Sequence, residues 1–324
     1  MKREEIGMKG RHGWKLVMIL FGVSVMLPYV ITLMWSRQPV FQPVEEFYSG
    51  KSVTDASGQV QDVEEYLVGV VAGEMPASYG LEALKAQAVL ARTAVYRCLD
   101  ETGRADEQVI GLKCCSMLEM EQMWGKNSLE EFYSLVRQAV SETAGETLQY
   151  ESAYIEPLYH LASGGSTRAD TSGYLPYLVQ ADSSRDLELE GCTQVVILTE
   201  SQFAAALNAV AEDCQVPSEH LLESIQIIKK DSSGYVEQIM IGGFEFTGVQ
   251  AAAAAGVSSC CFSIGEYGTG EDGETRLQVV AYGIGHGYGM SQYGASKMAE
   301  EGADYKEILY HYFQGVEVIS SVIE

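Results

Sequence analysis

Hydrophobic and polar positions give the chain three textures: one long uncharged apolar run, a short polar stretch, and a long mixture of helical and alternating patterns. The apolar run, residues 16–35 (LVMILFGVSVMLPYVITLMW), carries no charge and has about the length that crosses a bilayer core, so it predicts a membrane-spanning helix, kinked but not forbidden by Pro28. Residues 66–72 (YLVGVVA) suit a strand or the end of a buried helix, and Gly73-Glu74-Met75-Pro76 stops them. Apolar residues at 81, 84, 88, 91 and 95 of LEALKAQAVLARTAVYRCL predict a helix over 81–99 with one buried face. A second helix is expected over 129–141, short β-like segments over 145–186, and a helix over 200–212. Residues 225–246 alternate like two strands around a turn at Asp231 to Gly234, Ala251 to Ala255 belong to a short helix, and 296–314 reads as a closing helix pair. Helices and strands without regular β-α alternation predict an α+β fold.

Charge orients this arrangement. Lys2, Arg3, Lys9, Arg11 and Lys15 precede the apolar run, which places that flank in the cytoplasm and exports the rest. A cleaved signal peptide would have a shorter apolar region and a small-residue cleavage site, and Trp35-Ser36-Arg37-Gln38 offers none, so the run reads as a retained single-pass anchor in the cell membrane. The expected organisation is a basic tail over 1–15, the anchor over 16–35, a linker over 36–59 containing Pro39 and Pro43, and a folded domain over 60–320.

Beyond the run, 16 basic residues face 43 acidic ones, a net charge of −27 that argues against nucleic acid as a partner. With 324 residues, 47% of them hydrophobic, the chain can bury a substantial core. Its seven cysteines, an odd number with two adjacent pairs, do not resemble a disulfide framework.

Candidate chemistry gathers at a few places. Lys85 and Arg92 lie seven residues apart on the 81–99 helix and share a face, with Gln87 between them. The stretch GIGHGYGMSQYGA, residues 283–295, sets His286 among glycines and continues into Ser291, Gln292 and Tyr293; Ser163-Gly164-Gly165-Ser166-Thr167 is a second loop of this kind. Glycines let a backbone approach another molecule closely, at a price in conformational freedom. No Gly-Lys-Ser/Thr follows, which weakens a phosphate-loop reading. A triad of Ser163 or Ser291 with His286 is conceivable but lacks a nucleophile elbow. His160, His220, His286 and His311 stand isolated in sequence, so a metal-dependent hydrolase lacks clustered ligands.

The stretches VEEYLVGVVAGEMPASYGLEALKAQAVLARTAVYRCL, YHLASGGSTRADTSGYLPYLVQADSSRD and GHGYGMSQYGASKMAEEGADYKEILYHYFQGVEV, in this order from residue 63 to residue 318, resemble the stage II sporulation protein D family. The resemblance implies a peptidoglycan lytic transglycosylase whose catalytic acid is the glutamate of Glu-Met-Pro, here Glu74, acting without a cofactor during forespore engulfment. Cleavage after N-acetylmuramic acid needs one group to protonate the leaving oxygen and then to deprotonate the sugar's own 6-hydroxyl, so a single carboxyl suffices.

Substrate contacts are then expected from Lys85, Gln87, Arg92, Ser163, Gly164, Gly165, His286, Ser291, Gln292 and Tyr293 around a glycan-binding groove, although Lys85 or Arg92 could instead brace the fold. Implied partners are peptidoglycan glycan strands, denuded by a cell-wall amidase, and a membrane scaffold of the engulfment machinery. The alternative is a non-enzymatic glycan-binding protein that recruits or enhances an amidase. Two departures from the family stand out: Cys98 to Gly125 holds Cys114 and Cys115 but no histidine, so the zinc site of some members is not expected, and Gln250 occupies a common arginine position.

Overall fold

The structure, a computed structural model, describes residues 48–211, 214–271 and 273–321. The predicted tail, anchor and first part of the linker lie outside the described residues, and among the described ones no helix is long and apolar enough to cross a membrane. The architecture is mixed helix and sheet, as the pattern predicts.

Folding begins inside the predicted linker. Strand β1 (Ser52–Thr54) pairs antiparallel with β2 (Val60–Asp62) and parallel with β3 (Arg104–Asp106), and Val53 is fully buried. The linker boundary at residue 59 is therefore too late, because a three-residue strand gives almost no periodic signal. Asp62 then caps α1 (Val63–Glu74) by accepting from the Glu64 N–H at 2.8 Å. Apolar residues buried on nearly every side of α1 explain why 66–72 looked equally like a strand. Against it lies α2 (Leu81–Arg97), the helix predicted over 81–99.

The next segments are α3 (Glu107–Ile110), α4 (Met117–Trp124) and α5 (Lys126–Glu142). They lead to β4 (Glu146–Tyr150) and β5 (Ala153–Tyr154), which form a sheet with the C-terminal strand, and to β6 (Tyr159–His160). A first hydrophobic core gathers around α1, α2, α5 and β4.

A second core follows in sequence. It comprises β7 (Thr193–Thr199), α6 (Glu200–Val210), β8 (Gln226–Lys230), β9 (Val236–Ile241), β10 (Phe244–Thr247), α7 (Gly248–Ala255), β11 (Phe262–Thr269) and β12 (Thr275–Tyr282). Its sheets run β10-β9-β8 and β11-β12-β7, all antiparallel. The hairpin expected at Asp231 joins β8 to β9, and a third strand, β10, was folded into the second by the sequence pattern. Gln250 closes a capping box on α7 with Thr247, accepting from the Thr247 N–H at 2.9 Å, which gives this residue a local role that needs no positive charge.

The chain then returns to the first core through β13 (Met290–Ser291), α8 (Gln292–Glu300), α9 (Tyr305–Tyr312) and β14 (Glu317–Ser320). Outgoing and returning passages lie side by side: β6 pairs in parallel with β13, and Ala162 bridges Ile284.

Candidate active site

Glu74 is the last residue of α1, not an N-terminal residue of the following helix. A helix C-terminus carries the negative end of the dipole, so a carboxylate there is not placed by dipole attraction. Other groups hold it. Oε1 accepts from the backbone N–H of Lys113 at 2.8 Å, and Oε2 accepts from the Tyr159 hydroxyl at 2.9 Å. Its main-chain carbonyl, orphaned by the helix end, accepts from the Gln292 side-chain amide at 2.8 Å, and the same nitrogen reaches Gln87 Oε1 at 3.1 Å. Segments 85 and 218 residues away thus converge on one glutamate. The parallel register Tyr159 to Met290 aligns the two partner segments beside α1. Burial, then the nearby Glu74 carboxylate, push the Tyr159 phenol well above its ordinary range, so it remains a neutral donor.

The two glycine-rich loops pack against each other. A Cβ on Gly283, whose φ is +94°, would stand 2.9 Å from the Gly164 nitrogen, so glycine is required by the loops' own contact as well as by the backbone angle. Beneath them Asp186, fully buried, accepts from the Ser163 N–H at 2.6 Å and from the Ser291 hydroxyl at 2.9 Å, tying one loop to the other. Burial raises the Asp186 carboxyl above its ordinary value, against these hydrogen bonds. Arg168 braces the outer side: its guanidinium lies 5.0 Å from the Tyr235 ring centre and 4.4 Å from that of Tyr288, and pairs with Asp231 at 2.6 Å.

The histidines isolated in sequence are not isolated in space: the rings of His160 and His286 stand 5.6 Å apart. His160 is buried, its Nδ1 lies 3.1 Å from the Tyr288 carbonyl, and burial followed by the neighbouring His286 lowers its pKa to about 3. His286 reaches the surface, accepts from the Tyr288 N–H at Nδ1 and hydrogen-bonds the Tyr159 backbone. Loss of water around its packed edge lowers its proton affinity. Among the described residues no group of three or more potential ligands is placed to hold a metal.

Several expected contact residues serve the fold itself. Lys85 and Arg92 do share a face, and that face meets the end of α5. Lys85 pairs with Glu82 at 2.7 Å and Glu142 at 2.6 Å; Arg92, fully buried, pairs with Glu64 at 2.6 Å and donates to the Val140 and Glu146 carbonyls. Of the two roles left open for them, bracing is the one these partners describe. Ser291 also caps α8, accepting from the Gly294 N–H, and Ser163 and Ser291 turn to Asp186 while His286 turns to Tyr288, so no serine–histidine pair is assembled from these groups. Gln87, Gln292 and Tyr159 gather at Glu74; Tyr293 stacks edge-on to Tyr79 at 6.0 Å, with the Lys297 ammonium 5.1 Å from its ring centre. Gly164 gives its N–H to the Tyr235 hydroxyl, and Gly165 gives its N–H to the Ser163 side chain.

Sequence reasoning missed Tyr159, Arg168, Asp186 and the Lys113 amide. Three of these lie inside the quoted motifs, but nothing in a single sequence distinguishes a buried carboxylate such as Asp186 from its exposed neighbours.

The family described as "Stage II sporulation protein" matches residues 54–150, which include Glu74 and α2. Stage II sporulation protein D of Bacillus subtilis (strain 168) is 30% identical over 268 residues, covering 79% of this chain and 74% of its own length. The protein of the same name from Bacillus amyloliquefaciens is 29% identical over 269 residues with the same coverage. An amidase enhancer of Bacillus subtilis (strain 168) is 28% identical over 302 residues, which span 78% of this chain and 40% of that protein. With the three motifs of residues 63–318 brought together around one glutamate, the chain belongs to the stage II sporulation protein D family.

Proposed function

We propose that the protein is a peptidoglycan lytic transglycosylase of sporulation, with Glu74 as its only catalytic carboxyl. The observation that carries this reading is the convergence on Glu74 of Tyr159, Gln292 and Lys113, from motifs far apart in the chain. In its protonated form Glu74 gives its proton to the oxygen between N-acetylmuramic acid and N-acetylglucosamine as the C1–O bond breaks. The muramic 6-hydroxyl then bonds to C1 and its proton returns to the Glu74 carboxylate. The products are a 1,6-anhydro end and a free N-acetylglucosamine hydroxyl, and the acid is regenerated without water or a second carboxylate. The glycine loops beside Glu74 would form a wall of the glycan groove, with His286 and Tyr293 offering hydrogen bonds and a ring face.

One relative's name, amidase enhancer, favours a second reading: a glycan-binding protein that recruits or stimulates a cell-wall amidase. Glu74→Gln separates the two. It keeps the shape and removes the proton donor, so an enzyme should lose turnover by about 10² to 10⁴ while still binding glycan. Unchanged release of anhydro ends would move proton transfer elsewhere.

The proposed setting is the outer face of the cell membrane, with residues 16–35 as the anchor and glycan strands, an amidase and a membrane scaffold as partners. Protease added to intact protoplasts should degrade the domain beyond the anchor, and protection of the whole chain would contradict this orientation.

A further inference from the structure

The segment Lys113 to Cys115 lies as a strap across α1, and two glycines make its seat. A Cβ on Gly69 would stand 2.5 Å from Cys114 Sγ and 2.9 Å from the Cys115 carbonyl oxygen; one on Gly73 would stand 2.6 Å from the Lys113 carbonyl oxygen. Neither glycine has a positive φ, so their backbone conformation does not demand glycine and the close approach of the strap does. Spaced four residues apart, they share one helix face. Each gives up about 1 kcal/mol of helix preference relative to alanine. The Cys115 N–H fastens the strap to the Gly69 carbonyl at 2.9 Å. Once seated, the strap aims the Lys113 N–H at Glu74 Oε1, 2.8 Å away.

We infer that this strap is a positioning device for the Glu74 carboxyl and fixes which oxygen carries the transferable proton; the inference rests on the reaction proposed above. A main-chain N–H can only donate, so Oε1, facing Lys113, must remain an acceptor whichever form the carboxyl takes. The Tyr159 hydroxyl can donate or accept. The proton therefore resides on Oε2, the oxygen facing Tyr159, and rotation of the carboxyl away from that arrangement breaks the Lys113 contact. The Lys113 side chain is exposed and has no part in this.

The test compares three variants of the full chain. Lys113→Ala retains the N–H and should turn over denuded glycan like the original protein. Lys113→Pro removes the donor, and Gly73→Ala pushes the strap off its seat; both should lower kcat tenfold or more with KM unchanged. Original-like kcat in a folded Lys113→Pro chain overturns the inference. If that variant does not fold, Gly73→Ala decides: loss of Cys115 amide protection with kcat retained overturns it equally. Should the original protein release no anhydro ends, the proposed reaction falls and hydrogen exchange judges the strap alone. The Lys113 amide should be protected, remain so in Glu74→Gln, and lose protection in Glu74→Ala; an unprotected Lys113 amide in the original protein contradicts the contact.

Discussion

At the scale of single residues, the site joins the half-buried Glu74 and the exposed His286 to buried polar groups such as Asp186 and His160, and the His160 Nε2 is buried with no hydrogen-bond partner. His160 shows what this implies for pH. In the unfolded chain a histidine takes its proton near 6.5, whereas buried His160 does so only near 3. Between those values the unfolded chain binds more protons, so this residue's contribution to stability is intact above about pH 6.5 and is lost as the pH falls toward 3, with a slope of at most about 1.4 kcal/mol per pH unit. Asp186 works in the opposite sense. Its raised carboxyl favours the native state only as the pH drops through its folded value toward the ordinary 3.8. His160→Asn keeps a donor for the Tyr288 carbonyl and cannot titrate, so the variant's melting temperature should depend less on pH between 6.5 and 4.5. Melting curves with the same pH dependence as the original chain would show that His160 is not the titrating group.

At the scale of elements, α2 was legible because buried apolar positions recur at helical spacing, whereas α1, buried on nearly every side, read equally as a strand. The closing pair α8 and α9 was legible as a pair over 296–314, with α8 starting four residues earlier at Gln292. The short strands were less so: β6 and β13 have two residues each and owe their existence to the parallel pairing between passages distant in sequence. Catalytic candidacy of Glu74 was legible through its motif; its holders Tyr159 and Lys113 were not, since one is an ordinary tyrosine and the other contributes only its backbone. The stripe of Lys85 and Arg92 was correctly placed on one face, but periodicity does not say whether that face meets substrate or another helix. The pairing of β6 with β13 depends on Gly289, where φ is +70° and a Cβ would stand 2.0 Å from the Leu158 carbonyl oxygen. Gly289→Ala should therefore destabilise the protein by at least about 2 kcal/mol in denaturant unfolding. A loss below about 0.5 kcal/mol would mean that the passage relaxes freely.

At the scale of the whole molecule, two hydrophobic cores share one chain that crosses between them, the glycine loops on both sides of that crossing meet at Gly164 and Gly283, and Tyr159 and Gln292 from the same two passages reach Glu74. The strongly acidic part beyond residue 35 would repel an anionic polymer, and Lys85 and Arg92 are engaged in ion pairs within the fold. If the proposed reaction holds, a strand stripped of its stem peptides by an amidase is the expected substrate. The decisive measurement is mass spectrometry of strand ends after digestion by the full chain, using sacculi treated or untreated with an amidase. Abundant 1,6-anhydro-muramic ends from treated material, few from intact sacculi and none from the Glu74→Gln chain are expected; reducing ends in place of anhydro ends, or anhydro ends still released by Glu74→Gln, would contradict a single-carboxyl transglycosylase.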